Sequence, residues 1–170
     1  MIKQKQRIGW PDECGGTLIE FAIVASTFFM MLLAICAGSN LYFTHNALVE
    51  ATRRGARYAA TQAATSPAGA LRTTSGCDST GPSLTSIRNY TIYGNSAGTG
   101  TNLINLQSAN VCVEYSNFGV GTGSVSVSVT GYTYNFVIPG INQRITMPAY
   151  RSTAAGESAG TCPAGASPCT

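Results

Sequence analysis

Apolar residues follow three different periods along this chain. From Leu18 to Gly38 they are nearly continuous, interrupted by Glu20, Ser26, Thr27 and Cys36. A helix of about 21 residues covers roughly 31 Å, the thickness of a bilayer's hydrocarbon core. No other window comes close, so the pattern predicts one membrane-spanning helix. From Ser39 to about Thr65 the period is that of an amphipathic helix. Leu41, Leu48 and Gly55 recur every seventh position, flanked by Phe43 or Thr44, Ala51 and Tyr58. Glu50 is spaced to pair with Arg53 and Arg54, and Ser66-Pro67 ends the run. The expected helix, Thr17 to Thr65, is on the order of 70 Å long. Its second half must pack on a C-terminal domain, on a neighbouring subunit or on both.

Beyond Pro67 the helical period stops. Residues 66–110 are rich in Gly, Ser, Thr and Asn and read as loops, with a candidate strand at Ile87–Tyr93. Val111–Tyr115 reads as a strand. Ser124–Ile138 carries the clearest β signal: Val125, Val127 and Val129 alternate with polar residues, and after Gly131 the phase moves to Tyr132, Tyr134 and Phe136. A lone glycine at a phase change predicts a bulge. Pro139-Gly140 predicts a turn, Arg144–Tyr150 a return strand, and the segment from Ser152 a loose tail. The fold class is therefore α+β: a long N-terminal helix whose second half carries a small antiparallel sheet.

Composition narrows the setting. Charged residues are 10% of the chain, against roughly 25% in an average soluble domain. That points to a membrane or extracellular protein. The net charge of +3 comes without a basic, aromatic-interleaved block, which sets nucleic acid aside. Lys3, Lys5 and Arg7 form a basic head before the apolar run and argue for a cytoplasmic N-terminus, against a weaker opposing vote from Arg53, Arg54 and Arg57. Cys77, Cys112, Cys162 and Cys169 lie beyond the span. Four cysteines allow three pairings; Cys77–Cys112 across the loops and Cys162–Cys169 in the tail are preferred, placing the domain in an oxidising compartment.

No catalytic constellation is visible. The acids beyond the basic head, Glu20, Glu50, Asp78, Glu114 and Glu157, are scattered. The single histidine, His45, reads as a solvated or interface residue near the membrane surface. The cysteine spacings do not suit zinc. Gly119, Gly121 and Gly123 precede no helix, so a phosphate loop is not expected. Asn89-Tyr90-Thr91 matches a glycosylation triplet, a match common by chance. Neither enzymatic activity nor a cofactor, metal or small-molecule substrate is expected.

Glu20 is the residue that needs explaining, because a carboxylate in lipid is costly. Thr17-Leu-Ile-Glu20 has the form of a capping box, which would make the glutamate a helix cap. Alternatively, a cut between Gly15 and Gly16 would create an ammonium on Gly16. Glu20 of one chain could then meet the ammonium of the next. The stretch Gly15-Gly16-Thr17-Leu18-Ile19-Glu20-Phe21 resembles the processing site of prepilins of the tight-adherence (Tad/Flp) branch of type IV pili. The segment continuing to Ala60, best in Glu20–Val24 and in Asn46–Ala60 with its Arg54-Gly55-Ala56-Arg57-Tyr58 run, resembles the TadE-like minor pilins or pseudopilins. It departs at Ser26, where members often have proline, at Cys36, where many have an acid, and in the charges around Glu50 and at Arg53-Arg54.

The resemblance implies a pilin-like layout. Residues 1–15 would be a cytoplasmic leader, 16–38 the membrane half of the helix and 39–65 its extramembrane half. Residues 66–151 would hold loops and sheet, and 152–170 a flexible tail. It implies insertion in a bacterial inner membrane with the C-terminal domain periplasmic. Processing would be by a prepilin peptidase. The partners would be the major pilin, sister pseudopilins, the assembly platform and lipid. Two alternatives remain: an anchored envelope protein that binds through its β domain without polymerising, and a secreted adhesin cut near Ala37–Ser39.

Overall fold

In the computed structural model, the described residues are 13–63, 71–102, 104–119, 122–138 and 140–156. The elements run α1 (Glu13–Ala60), α2 (Leu84–Tyr93), a 3-10 turn (Ser108–Asn110), β1 (Val111–Gly119), β2 (Thr122–Val129), β3 (Thr133–Ile138), β4 (Ile141–Thr146) and β5 (Tyr150–Ala155). The chain is α+β, as its periodicities predict. α1 has 48 residues and is about 72 Å long.

The core is built where α1 turns amphipathic. Leu48, Ala51, Ala56, Ala59 and Ala60 bury one helix face, and Thr44 rather than Phe43 takes the flanking position. Opposite them lies an antiparallel sheet ordered β1-β2-β5. Val125, Val127 and Val129 are fully buried on its inner face, next to Val111, Val113 and Tyr115 of β1. Each such side chain contributes roughly 1.5–3 kcal/mol by leaving water. The outer face is polar, where Arg151 Nη2 donates to Glu114 Oε2 at 2.6 Å.

The free edge of β1 is covered. Arg72 and Phe118 exchange backbone hydrogen bonds of 2.8 Å, Thr74 N–H donates to Tyr115 O, and Asp78 N–H donates to Val113 O. Arg72 also pairs with the buried Asp78 carboxylate. The Cys77–Cys112 disulfide fastens this strap to the sheet. A covered edge cannot recruit a strand from another chain.

Several expectations are corrected. Ile87–Tyr93 is not a strand but most of helix α2, because Leu84, Ile87, Thr91 and Ile92 are buried at helical spacing. Gly131, with φ +67, does not mark a bulge in one long strand. It separates β2 from β3, which leaves the main sheet to pair with β4 in a two-stranded hairpin. The predicted return strand Arg144–Tyr150 is split between β4 and β5, and residues 152–155 of the expected tail form the edge strand β5. α1 ends at Ala60 rather than Thr65. It begins at Glu13, so Thr17 lies inside the helix and cannot be its N-cap. Pro67, Pro139, the basic head and the Cys162–Cys169 pairing lie outside the described residues.

Candidate functional site

No residue in the first half of α1, from Gly15 to Gly38, is buried. Leu18 is 69% exposed, Phe21 72% and Met31 66%, and Glu20 is exposed among them. The span's hydroxyls are satisfied internally: Ser26 and Thr27 both donate to Ile23 O at 2.9 Å. Such back-bonding leaves no bare hydroxyl facing an apolar solvent. Among the described residues no cation pairs with Glu20. A side chain built at Gly15, Gly16 or Gly38 would meet nothing within 4 Å. Glycine inside a helix costs roughly 0.5–1 kcal/mol relative to alanine, and packing within this chain does not explain Gly15 or Gly16.

The second half is the reverse. Gly55 lies where α1 crosses α2 and β2. A Cβ there would sit 2.2 Å from Thr91 Oγ1 and 3.2 Å from Val127 Cγ1, so only glycine lets the elements come this close. Its neighbour Arg54 turns inward, and its Nη2 donates to Thr91 O at 2.9 Å. That carbonyl is among the last of α2, where a helix has unsatisfied acceptors and partial negative charge. Gly94 completes the cap in the left-handed conformation, φ +78, its N–H donating to Tyr90 O. Tyr58 stacks on Tyr90 with ring centroids 4.2 Å apart and planes 6° from parallel. Ala56 is buried, whereas Arg53 and Arg57 face outward. The expected Glu50 pairing with Arg53 or Arg54 is not made among the described residues; Arg54 is committed to α2.

Comparison with known proteins joins the two halves. A family model described as TadE-like protein matches residues 15–57. Over that segment the chain is similar to the TadE-like family. No curated protein and no solved structure matches it. The TadE-like match begins at the first of the two unpacked glycines and ends at Arg57, within the run that docks α2. It spans the bare and the covered parts of α1 and none of the sheet.

The structure therefore divides the predicted site residues into two groups. Gly15, Gly16, Glu20 and Phe21 share the exposed end of α1, far in sequence from any packing partner. Arg54, Gly55, Ala56 and Tyr58 assemble against α2 and β2. Cys77 and Cys112 are joined; Glu114 lies beside them, but bridged thiols cannot ligate a metal.

His45 is not simply solvated. It is half-buried, its Nδ1 2.7 Å from Tyr150 Oη and its ring edge-on to that tyrosine. Burial raises the Tyr150 hydroxyl's pKa, keeping it protonated beside the imidazole. Asn89 sits on α2 with its amide Nδ2 donating to Ser96 O, and Thr91 is fully buried, which leaves the triplet engaged in the fold. Sequence reasoning missed α2 and the Thr91 contact. The available signal was the Leu84, Ile87, Thr91 spacing, weak because a threonine interrupts the apolar stripe.

Proposed function

We propose that this TadE-like chain is a minor pilin or pseudopilin taking part in assembly of a Tad-type adhesive pilus. It is inserted in the bacterial inner membrane through Leu18–Gly38, with the N-terminus cytoplasmic and the C-terminal domain periplasmic. A prepilin peptidase cuts between Gly15 and Gly16, and Glu20 pairs with the Gly16 ammonium of a neighbouring subunit. The partners are the major pilin, sister pseudopilins and the assembly platform, and the role is structural rather than catalytic.

One observation carries the reading: the family match starts at Gly15, on an apolar helix segment with no buried residue and a lone carboxylate near its start. Two glycines with no packing role, followed by a charge with no partner in the described chain, fit a segment whose requirements are set by other proteins. The opposite charge of a neighbour's ammonium would offset the cost of placing either group in lipid.

The test is the mature N-terminus, by intact mass and N-terminal sequencing of protein from a membrane containing the peptidase. A start at Gly16 supports the reading. A start at Met1 contradicts it and leaves a plain anchor; a start near Ser39 makes the protein secreted. Glu20→Ala is expected to insert normally yet fail to enter pili. Normal piliation in that variant would sink the ammonium pairing.

A further inference from the structure

The β3–β4 hairpin packs on the core only near its base, through Tyr134. Its register places Tyr134 opposite Ile145, Phe136 opposite Gln143 and Ile138 opposite Ile141. These residues share one face. Tyr134, Phe136 and Ile138 are half-buried while Thr133, Asn135 and Val137 are exposed, and β3 packs along α1. The apolar face of the hairpin is thus turned toward the helix. The other face is polar except for Val137, which is 63% exposed; Ile141, at the tip, is 52% exposed.

The hairpin also has a direction. Tyr150 meets His45, and Ile145 and Met147 line a groove of roughly 450 Å³ with Gly38, Leu41, Tyr42 and His45. Going back along the chain from Tyr150 to Ile145 therefore follows α1 from His45 toward Gly38, the end of the apolar span. From Tyr134 to Ile138 the strand advances a further 13 Å or so, the length of about two and a half helical turns. Continued along the same line, the tip would reach the level of the last turns of Leu18–Gly38. Residues 133–146 contain one charged side chain, Arg144, and no acid. Arg144 pairs across the hairpin with Asn135, nearer its base than its tip.

We propose that the tip of this hairpin, at Val137, Ile138 and Ile141, is a second lipid-contacting element beside the protein's own span. It enters the boundary between headgroups and acyl chains. The proposal rests on reading Leu18–Gly38 as membrane-spanning. The occupant is lipid because the tip leaves Val137 and Ile141 exposed and the hairpin's base lines a groove with Gly38, where the exposed apolar span ends. The composition also fits an interface: apolar residues lowest, Tyr134 at headgroup depth, and a single arginine able to reach phosphate. The hairpin would fix the tilt and rotation of α1, and hence which helix face a neighbour meets.

The test uses the full chain with its only tryptophan removed, Trp10→Phe, and a new one introduced at Val137→Trp. A parallel protein carries Phe28→Trp, inside the span. Both are reconstituted in phosphatidylcholine vesicles with brominated acyl chains, which quench indole fluorescence on contact. The proposal expects blue-shifted, quenched emission at both positions. Ile141→Trp on the partner strand is expected to repeat the result. Quenching at position 28 with red, unquenched emission at 137 and 141 overturns the hairpin proposal and leaves the anchor standing. Blue-shifted but unquenched emission at 137 and 141 means that protein, such as a second copy's helix, covers the tip, and also overturns it. Unquenched emission at all three positions removes the anchor reading itself.

Discussion

The two halves of α1 share one continuous backbone and have opposite surroundings. Leu33 is 44% exposed and Leu48 fully buried. Gly38 has open space where a side chain would go; Gly55 has three atoms of α2 and β2 within 3.2 Å. The same residue types therefore do different work along one helix. Before Gly38 they stay exposed on a helix long and apolar enough to cross a membrane. After Leu41 they hold a small domain. A family match covering both halves does not by itself say which positions the fold packs and which it leaves exposed. The structure separates them, and Arg54, Gly55, Ala56 and Tyr58 fall on the packed side.

That comparison can be broken most sharply at the disulfide. Closing a loop of 35 residues contributes about 4 kcal/mol in the chain-entropy account. Cys77→Ser with Cys112→Ser should lower the domain's unfolding temperature strongly while leaving helical content in detergent at Leu18–Gly38 unchanged. Differential scanning calorimetry and circular dichroism check the two parts. A drop in span helicity would mean that the halves are coupled.

Next come the two glycines. Gly55→Val should cost about 3 kcal/mol, because the new side chain forces α2 or β2 away. Gly38→Ala should leave the domain's stability unchanged and slightly favour the helix, by roughly 0.5–1 kcal/mol. Denaturant titration of both variants reads the difference directly; equal effects would refute the division.

A third prediction confines a pH effect to the domain. Burial, reinforced by the nearby Asp78 carboxylate and opposed by Arg72, raises the Tyr115 pKa to about 12 from 10.0. A phenol whose pKa is higher folded than unfolded adds stability that is complete below pH 10. That stability is lost as pH rises from 10 toward 12, roughly 2–3 kcal/mol in all. Tyr115→Phe should remove this alkaline limb from the domain's pH–stability profile, measured by urea unfolding. A limb of unchanged size would assign it elsewhere.

The smallest expected effect is at Arg54. Arg54→Gln should cost about 1 kcal/mol through the lost charge-assisted bond to the end of α2. Arg57→Gln, on the outer face, should cost almost nothing. Hydrogen exchange of α2 amides is the suitable readout, because fraying should be confined to Thr91–Tyr93.

How much of this was legible in the sequence follows from which signals are local. The span is a run of apolar residues and needs no partner to be recognised. The amphipathic half shows in Leu41, Leu48 and Gly55, and the inner face of β2 in three alternating valines. Cys77–Cys112 was favoured by position. α2 was not legible, since Thr91 interrupts its buried stripe and its place depends on Gly55 and Arg54, more than thirty residues earlier. The change of sheet at Gly131 is not distinguishable from a bulge in the sequence, because a phase shift looks the same whether a strand bends or ends. Of the candidate site, Glu20 and the glycines were visible as anomalies. That Arg54 and Tyr58 serve the fold became clear only once their contacts to Thr91 and Tyr90 were seen.

The most direct test of the division is thermal unfolding of a chain comprising residues 37–170, without the apolar half of α1, in plain buffer. The account predicts a soluble domain with one cooperative transition within a few degrees of the full-length protein's in detergent. Loss of cooperative unfolding in the shortened chain would show that the first half of α1 belongs to the fold, and would contradict the account.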